Sequence, residues 1–337
     1  MAEDVVQNSD DHIGELADLS DAEREMLLEY HPVKEREYIL PTPMMERAYS
    51  IIRDRVWARR TGAVFYATPR MGKTKCARAT KDLLQDEFPR TFVSLLPARS
   101  SNRANDAHMY RLILEGENHA LSGRANAYTL FDNALADIEV KTKSRGGTQF
   151  VLLIDEIQVL NDFDLQQLVC FHNALELRKI KMTTISFAQP EIEHRRSALM
   201  ASHSRQIIAR FLSELVQYDG CSSSADLRRI LKSYDEASEF PEGSGWSYTR
   251  FFFPVASAHG FALEKYAVPL WSELTKAAGV GSNGMIPMEH TCLAIEYLLL
   301  EMRKQDCGPL VFDKEDIQAA VLSSQLQSFF EVMADDE

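Results

Sequence analysis

Between residues 63 and 218 the chain alternates short apolar runs with helical patterns, and no other feature restricts its fold as much. The apolar runs cover 63–67, 91–96, 150–154, 183–187 and 214–218. Between them, 74–86, 104–114, 125–141, 164–178 and 190–200 carry apolar residues at helical spacing. Strands alternating with helices predict an α/β fold, a parallel sheet covered by helices on both faces. A further amphipathic helix is expected over 44–59, with Met45, Ala48, Ile51, Ile52, Val56 and Trp57 on one face. Ser20-Asp21-Ala22-Glu23 fits a capping box and starts a short helix over 21–30. After residue 218 the alternation stops. Helices are expected over 225–238, 260–278, 287–304 and 313–324, which make a small all-helical lid domain. Phe251-Phe252-Phe253 has no place in this pattern. The expected division is an acidic segment with a short helix (1–40), the α/β domain (41–220), the lid (221–330) and an acidic tail (331–337).

The first apolar run leads directly into Ala67-Thr68-Pro69-Arg70-Met71-Gly72-Lys73-Thr74. This is the phosphate-cradling pattern G-x-x-x-x-G-K-[ST] with alanine in the first place, where a small side chain is the main requirement. Successive backbone N–H groups wrap the phosphates, and the following helix N-terminus adds its partial positive charge. Gly72 allows close backbone approach, Lys73 reaches the β- and γ-phosphates of ATP, and the Thr74 hydroxyl is a ligand for Mg²⁺. The third run ends in Ile154-Asp155-Glu156. Asp155 is assigned to the Mg²⁺ shell, and Glu156 to the attacking water as general base. A polar residue that senses the γ-phosphate is expected after the fourth run, with Gln189 first and Ser186 second. An arginine before the fifth run could reach a neighbouring subunit's nucleotide; Arg210 is preferred and Arg205 second.

Composition enters through the distribution of charge. The formal net charge is −13. Residues 1–40 hold 12 acids and 3 bases, and the last seven residues add a net −4. Residues 41–210 hold 25 bases and 18 acids, a net +7, while 211–330 are net −7. A basic block between acidic flanks fits an anionic ligand in the middle and protein partners at the ends. Arg99, Asn102 and Arg103 are the candidates for duplex DNA phosphates, and Lys141, Lys143 and Arg145 form a second small cluster. The five cysteines include no C-x-x-C pair, so reduced and mostly buried thiols are expected rather than zinc or disulfides. The first residues contain no basic stretch and no apolar segment, and no run is long enough to span a bilayer. A cytoplasmic protein without a membrane partner is expected.

Together these residues resemble the AAA+ ATPases, and within them the TnsC/TniB regulators of DNA transposition, in particular the TnsC type of CRISPR-associated transposons. The resemblance is carried by Leu40-Pro41-Thr42-Pro43 through Glu46, Gly72-Lys73-Thr74, Asp155-Glu156-Ile157-Gln158, Ala188-Gln189-Pro190-Glu191 and Ala209-Arg210-Phe211, and covers residues 20–220. It implies ATP- and Mg²⁺-dependent assembly of a homo-oligomer, a ring or filament around duplex DNA. It also implies a link between a targeting complex containing a TniQ-type protein and the transposase, reset by ATP hydrolysis. Two positions depart from the pattern: Ala67 in the loop, and the lid's sensor arginine, for which Arg228, Arg229 and Arg303 are candidates. The alternatives are an initiator or helicase-loader type of AAA+ ATPase, and a nucleotide-locked scaffold with little turnover.

Overall fold

The computed structural model describes residues 21–101, 105–117, 126–279 and 284–335. The chain divides into two compact units: Met44–Asp219, and the chain up to Pro43 together with Gly220 onward.

In chain order, α1 (Asp21–Glu29) and α2 (Pro32–Glu35) come first, and α3 (Pro43–Trp57) leads into the first unit. There follow β1 (Ala63–Tyr66), α4 (Lys73–Glu87), β2 (Thr91–Pro97), α5 (His108–Gly116), α6 (Ala127–Ser144) and β3 (Gln149–Asp155). Then come α7 (Asp162–Leu177), β4 (Lys181–Ala188), α8 (Glu191–Ala201), α9 (Arg205–Phe211) and β5 (Glu214–Gln217). The five strands form one parallel sheet in the order β2-β3-β4-β1-β5. Alternate residues face opposite layers. Phe65, Val151, Leu153 and Phe187 pack with Ile52 of α3 and Leu84 of α4. Val64, Phe150, Leu152 and Ile154 face the helices from α5 to α9. Both faces are covered, so β3 is buried along its whole length, and its centre, 150–154, reads in sequence as an unbroken apolar run.

The differences from expectation are local. The helix expected from 104 begins at His108, because the Asn105 side chain accepts the Ala107 N–H at 2.9 Å and holds a turn there. The stretch before β5, to which the sequence pattern assigns no element, is the helix α9. Of the cysteines, all free, Cys76 and Cys221 are buried while Cys170 and Cys307 are exposed, which corrects the expectation of mostly buried thiols. Among the described residues, no helix is long and apolar enough to cross a membrane.

The second unit is helical: α10 (Ser224–Glu236), α11 (Tyr248–Phe252), α12 (Pro254–Ala258), α13 (Ala267–Ala278), α14 (Met288–Met302), α15 (Lys314–Ser323) and α16 (Leu326–Asp335). The region read as an acidic tail from 331 thus continues α16 as far as Asp335. The unit's core joins Leu231, Leu274 and Leu298 with Leu28, Val33 and Tyr38 of the N-terminal segment. The three phenylalanines find their place here. Phe251, Phe252 and Phe253 are buried, and the first two pack around the buried His31 ring, with centroids 4.6 Å away in each case. His31 caps α2, its Nδ1 accepting the Val33 N–H at 3.1 Å. Burial in this apolar box pushes the imidazole down to about 3, so it is neutral. Tyr38 donates to Glu296 at 2.8 Å and lies 2.6 Å from the Tyr234 hydroxyl, which ties the N-terminal segment to α10 and α14.

Candidate functional site

The strands are parallel, so the C-terminal ends of β1, β3 and β4 share one edge of the sheet, and the predicted chemistry collects there. The Ala67 N–H donates to Ala188 O at 3.2 Å, which fixes the start of the loop to the end of β4. Arg70 and Gly72 take positive φ, +68° and +97°, the backbone curl that turns successive N–H groups towards a common centre. Lys73 opens α4 and is buried; its ammonium donates to Ala67 O at 2.7 Å and Thr68 O at 2.9 Å. Burial lowers the Lys73 ammonium from its ordinary range, opposed by the nearby Glu156, Asp155 and Glu191 carboxylates. Pro69 and Thr68 are half-buried, Met71 is buried and Arg70 is exposed.

Thr74 Oγ1 donates to Asp155 Oδ2 at 2.8 Å, joining the loop to the end of β3. Burial raises the Asp155 carboxyl, partly offset by the Thr74 hydrogen bond. Its Oδ1 is buried with no hydrogen-bond partner among the described residues. An orphaned carboxylate oxygen beside a threonine hydroxyl is a hard-oxygen donor set, and it fits Mg²⁺. Thr74 and Asp155 would hold the ion, which would neutralise phosphate charge.

Glu156 follows at φ +60°, a sharp turn directly after the strand. Its Oε2 accepts from Gln189 Nε2 at 3.0 Å and from Gln158 Nε2, while the Gln189 N–H donates to Gln158 Oε1 at 3.1 Å. Gln189 therefore meets the carboxylate, whereas Ser186 is buried within β4 opposite Ile154 and Val64. Arg195 of α8 holds this turn from outside, donating to Gln158 O at 2.9 Å and pairing with Asp162 at 3.1 Å. Gln158 and Arg195 join the site beyond the residues that the sequence motifs point to. A lone glutamine between Ile157 and Val159 was a usable signal for the first; Arg195 is connected only through the tertiary fold.

Arg210 lies at the other end of the sheet. Its carbonyl accepts from Thr61 Oγ1 at 2.9 Å and its Nη2 donates to Asn173 at 2.9 Å. Strands rise about 3.3 Å per residue, so Thr61 and Ala67 are about 20 Å apart, and Arg210 does not meet its own chain's loop. Arg205 is exposed at the start of α9. Arg99 is exposed and pairs with Glu115 at 3.3 Å; Asn102 and Arg103 lie outside the described residues. In the second basic cluster Lys141 pairs with Glu117 and Asp137, and Lys143 with Glu139. Of the lid candidates, Arg303 pairs with Glu25 and Arg228 is exposed.

Residues 58–195 match a family described as an AAA domain. No curated protein matches the chain. The fold is similar to that of the ORC2 protein of Aeropyrum pernix. To its ADPNP-ADP complexes the chain is 14% identical, over 88% of this chain and 72% of that one, with a TM-score of 0.58. To its ADP form it is 13% identical, over 86% and 71%, with a TM-score of 0.53. The chain thus has an AAA+ P-loop α/β fold with a helical C-terminal part.

Proposed function

We propose that this protein is an Mg²⁺-dependent ATPase that works as a DNA-bound switch, assembling into a homo-oligomer in its ATP state. One observation carries the reading. Lys73, Thr74, Asp155 and Glu156 converge at the end of the sheet, with one Asp155 oxygen left over for a cation. The Lys73 ammonium, now on two loop carbonyls, exchanges them for phosphate oxygens. Glu156 takes the proton of the attacking water. Gln189, already on Glu156, reports the occupied site to β4 and α8. Arg210 completes the phosphate site of an adjacent copy, since it stands far from its own. Arg99, Asn102 and Arg103 contribute phosphate contacts to duplex DNA, and Gly220 onward supplies the lid.

For the finer role we favour an initiator or helicase-loader type of action. The support is the fold likeness to an ORC2 protein over most of both chains. A second reading, a transposition regulator between a TniQ-type targeting protein and the transposase, is favoured by the sequence around Leu40-Pro41-Thr42-Pro43 and by Asp155-Glu156-Ile157-Gln158. Steady-state ATP hydrolysis with and without duplex DNA tests the common part. DNA-stimulated turnover is expected, and no turnover in either condition would leave only a nucleotide-locked scaffold. Binding assays against a replicative helicase and against a TniQ-type protein then separate the two roles.

A further inference from the structure

All the loops that feed a parallel sheet gather at one end, opposite the nucleotide loop. In this sheet each loop entering β1 to β4 brings a cation: Arg59 and Arg60 before β1, Arg90 before β2, Arg145 before β3 and Lys179 before β4. Among the described residues, none of the five has a carboxylate within ion-pair distance. The acids at this end are already engaged: Glu139 by Lys143 and Arg178, Glu176 by Lys181, and Glu214, which opens β5 beside Ala63, by Arg55. Like charges gathered without ion-pair partners of their own repel one another, and that cost is recovered when a polyanion covers them.

The turn at 145–148 organises the group. Arg90 donates through Nε and Nη2 to Gly146 O at 3.0 and 2.6 Å, and Arg59 Nη1 donates to Thr148 Oγ1 at 3.2 Å. The Arg145 guanidinium lies 5.6 Å from the Phe92 ring centre. The chain presses close here: a Cβ on Gly147 would fall 1.7 Å from the Arg90 carbonyl oxygen. Arg90 still has three N–H donors beyond the two used on Gly146.

We propose that this end of the α/β unit is a contact surface for the phosphate backbone of duplex nucleic acid, separate from Arg99, which follows the opposite end of β2. The inference rests on the reading that the protein acts on DNA. Four of the five cations are arginines, whose fork of donors matches phosphate oxygens. Strands lie about 4.8 Å apart, so the loops of β2, β3, β4 and β1 make a row about 15 Å wide. That length of duplex carries about nine backbone charges. Contact of this kind is insensitive to sequence and strongly dependent on salt.

The test uses the full chain, a short mixed-sequence duplex and the triple variant Arg60→Ala/Arg145→Ala/Lys179→Ala, chosen because none of these side chains donates a hydrogen bond that holds the fold. The melting midpoint should stay within about 2 °C of the parent, because such surface changes cost little. The slope of log affinity against log salt should shrink by about three, and affinity should fall by about ten-fold or more, equally for duplexes of different sequence. Unchanged slope and affinity, while the parent binds duplex and Arg99→Ala weakens it, would overturn the inference and leave the DNA reading standing. So would loss of ATP-driven self-association at unchanged duplex affinity, which would assign the face to contact between copies. A parent protein that binds no duplex would remove the DNA reading itself.

Discussion

Gln189 Nε2 donates to Glu156 Oε2 across 3.0 Å, so the residue that closes β4 touches the carboxylate that follows β3. Glu156→Gln keeps the shape and removes the base. Turnover should fall by about 10²-fold or more, with ATP affinity close to the parent's, as a nucleotide titration beside a steady-state assay would show. Gln189→Ala should lower kcat by about ten-fold, the loss of one hydrogen bond to a charged group, with KM nearly constant. A Glu156→Gln enzyme that still turns over normally would remove Glu156 from the chemistry.

Lys73 is buried, and its ammonium holds two carbonyls of the loop. Lys73→Ala therefore removes a phosphate contact and loosens the cradle together. Affinity for ATP should drop by about 10- to 100-fold, the loss of charge-assisted hydrogen bonds. Fluorescent-nucleotide titration checks this, and equal affinity would contradict the loop assignment.

Arg210 stands by the start of β1 while the phosphate loop follows its end. If it acts on a neighbour, Arg210→Ala should cost about 10³-fold in turnover with little change in ATP affinity. Mixing Arg210→Ala with Glu156→Gln should restore part of the activity, because mixed oligomers contain sites with both residues intact. No recovery on mixing would place the arginine's effect within its own chain.

His31 gives the helical unit a pH dependence. The unfolded chain takes up a proton near pH 6.5, whereas the folded box keeps the imidazole neutral down to about 3. The folded state is thus fully favoured above pH 6.5 and loses stability as pH falls through that window, by about 2–3 kcal/mol at pH 4.5. His31→Phe should lose about 1 kcal/mol at pH 7.5 through the missing cap and then show a flatter stability curve on acidification. Parallel curves from denaturant titrations of the two proteins would contradict this.

The α/β unit was legible because its physics is local. A strand buried on both faces, such as β3, is apolar through its centre at 150–154, and a phosphate loop must join a strand to a helix. Asp155 and Thr74 could be paired in advance because each role demands one residue type at one strand or helix end. Arg195 was harder, since its contact with Gln158 O joins residues 37 apart in the chain and depends on where α8 lies beside the turn after β3. The helical unit was legible only in outline. Phe251-Phe252-Phe253 has no period of its own and makes sense only around His31, which lies some 220 residues earlier in the chain. The start of α5 shifted because a side-chain turn at Asn105 competes with helix, which residue propensity does not register.

The central claim is that the ATP state assembles this protein on duplex DNA. Electron microscopy of the full chain with duplex and a non-hydrolysable ATP analogue, beside the same mixture with ADP, tests it directly. Rings or filaments on DNA with the analogue, absent with ADP, are the predicted result. Monomers in both conditions, or identical assemblies in both, would contradict it.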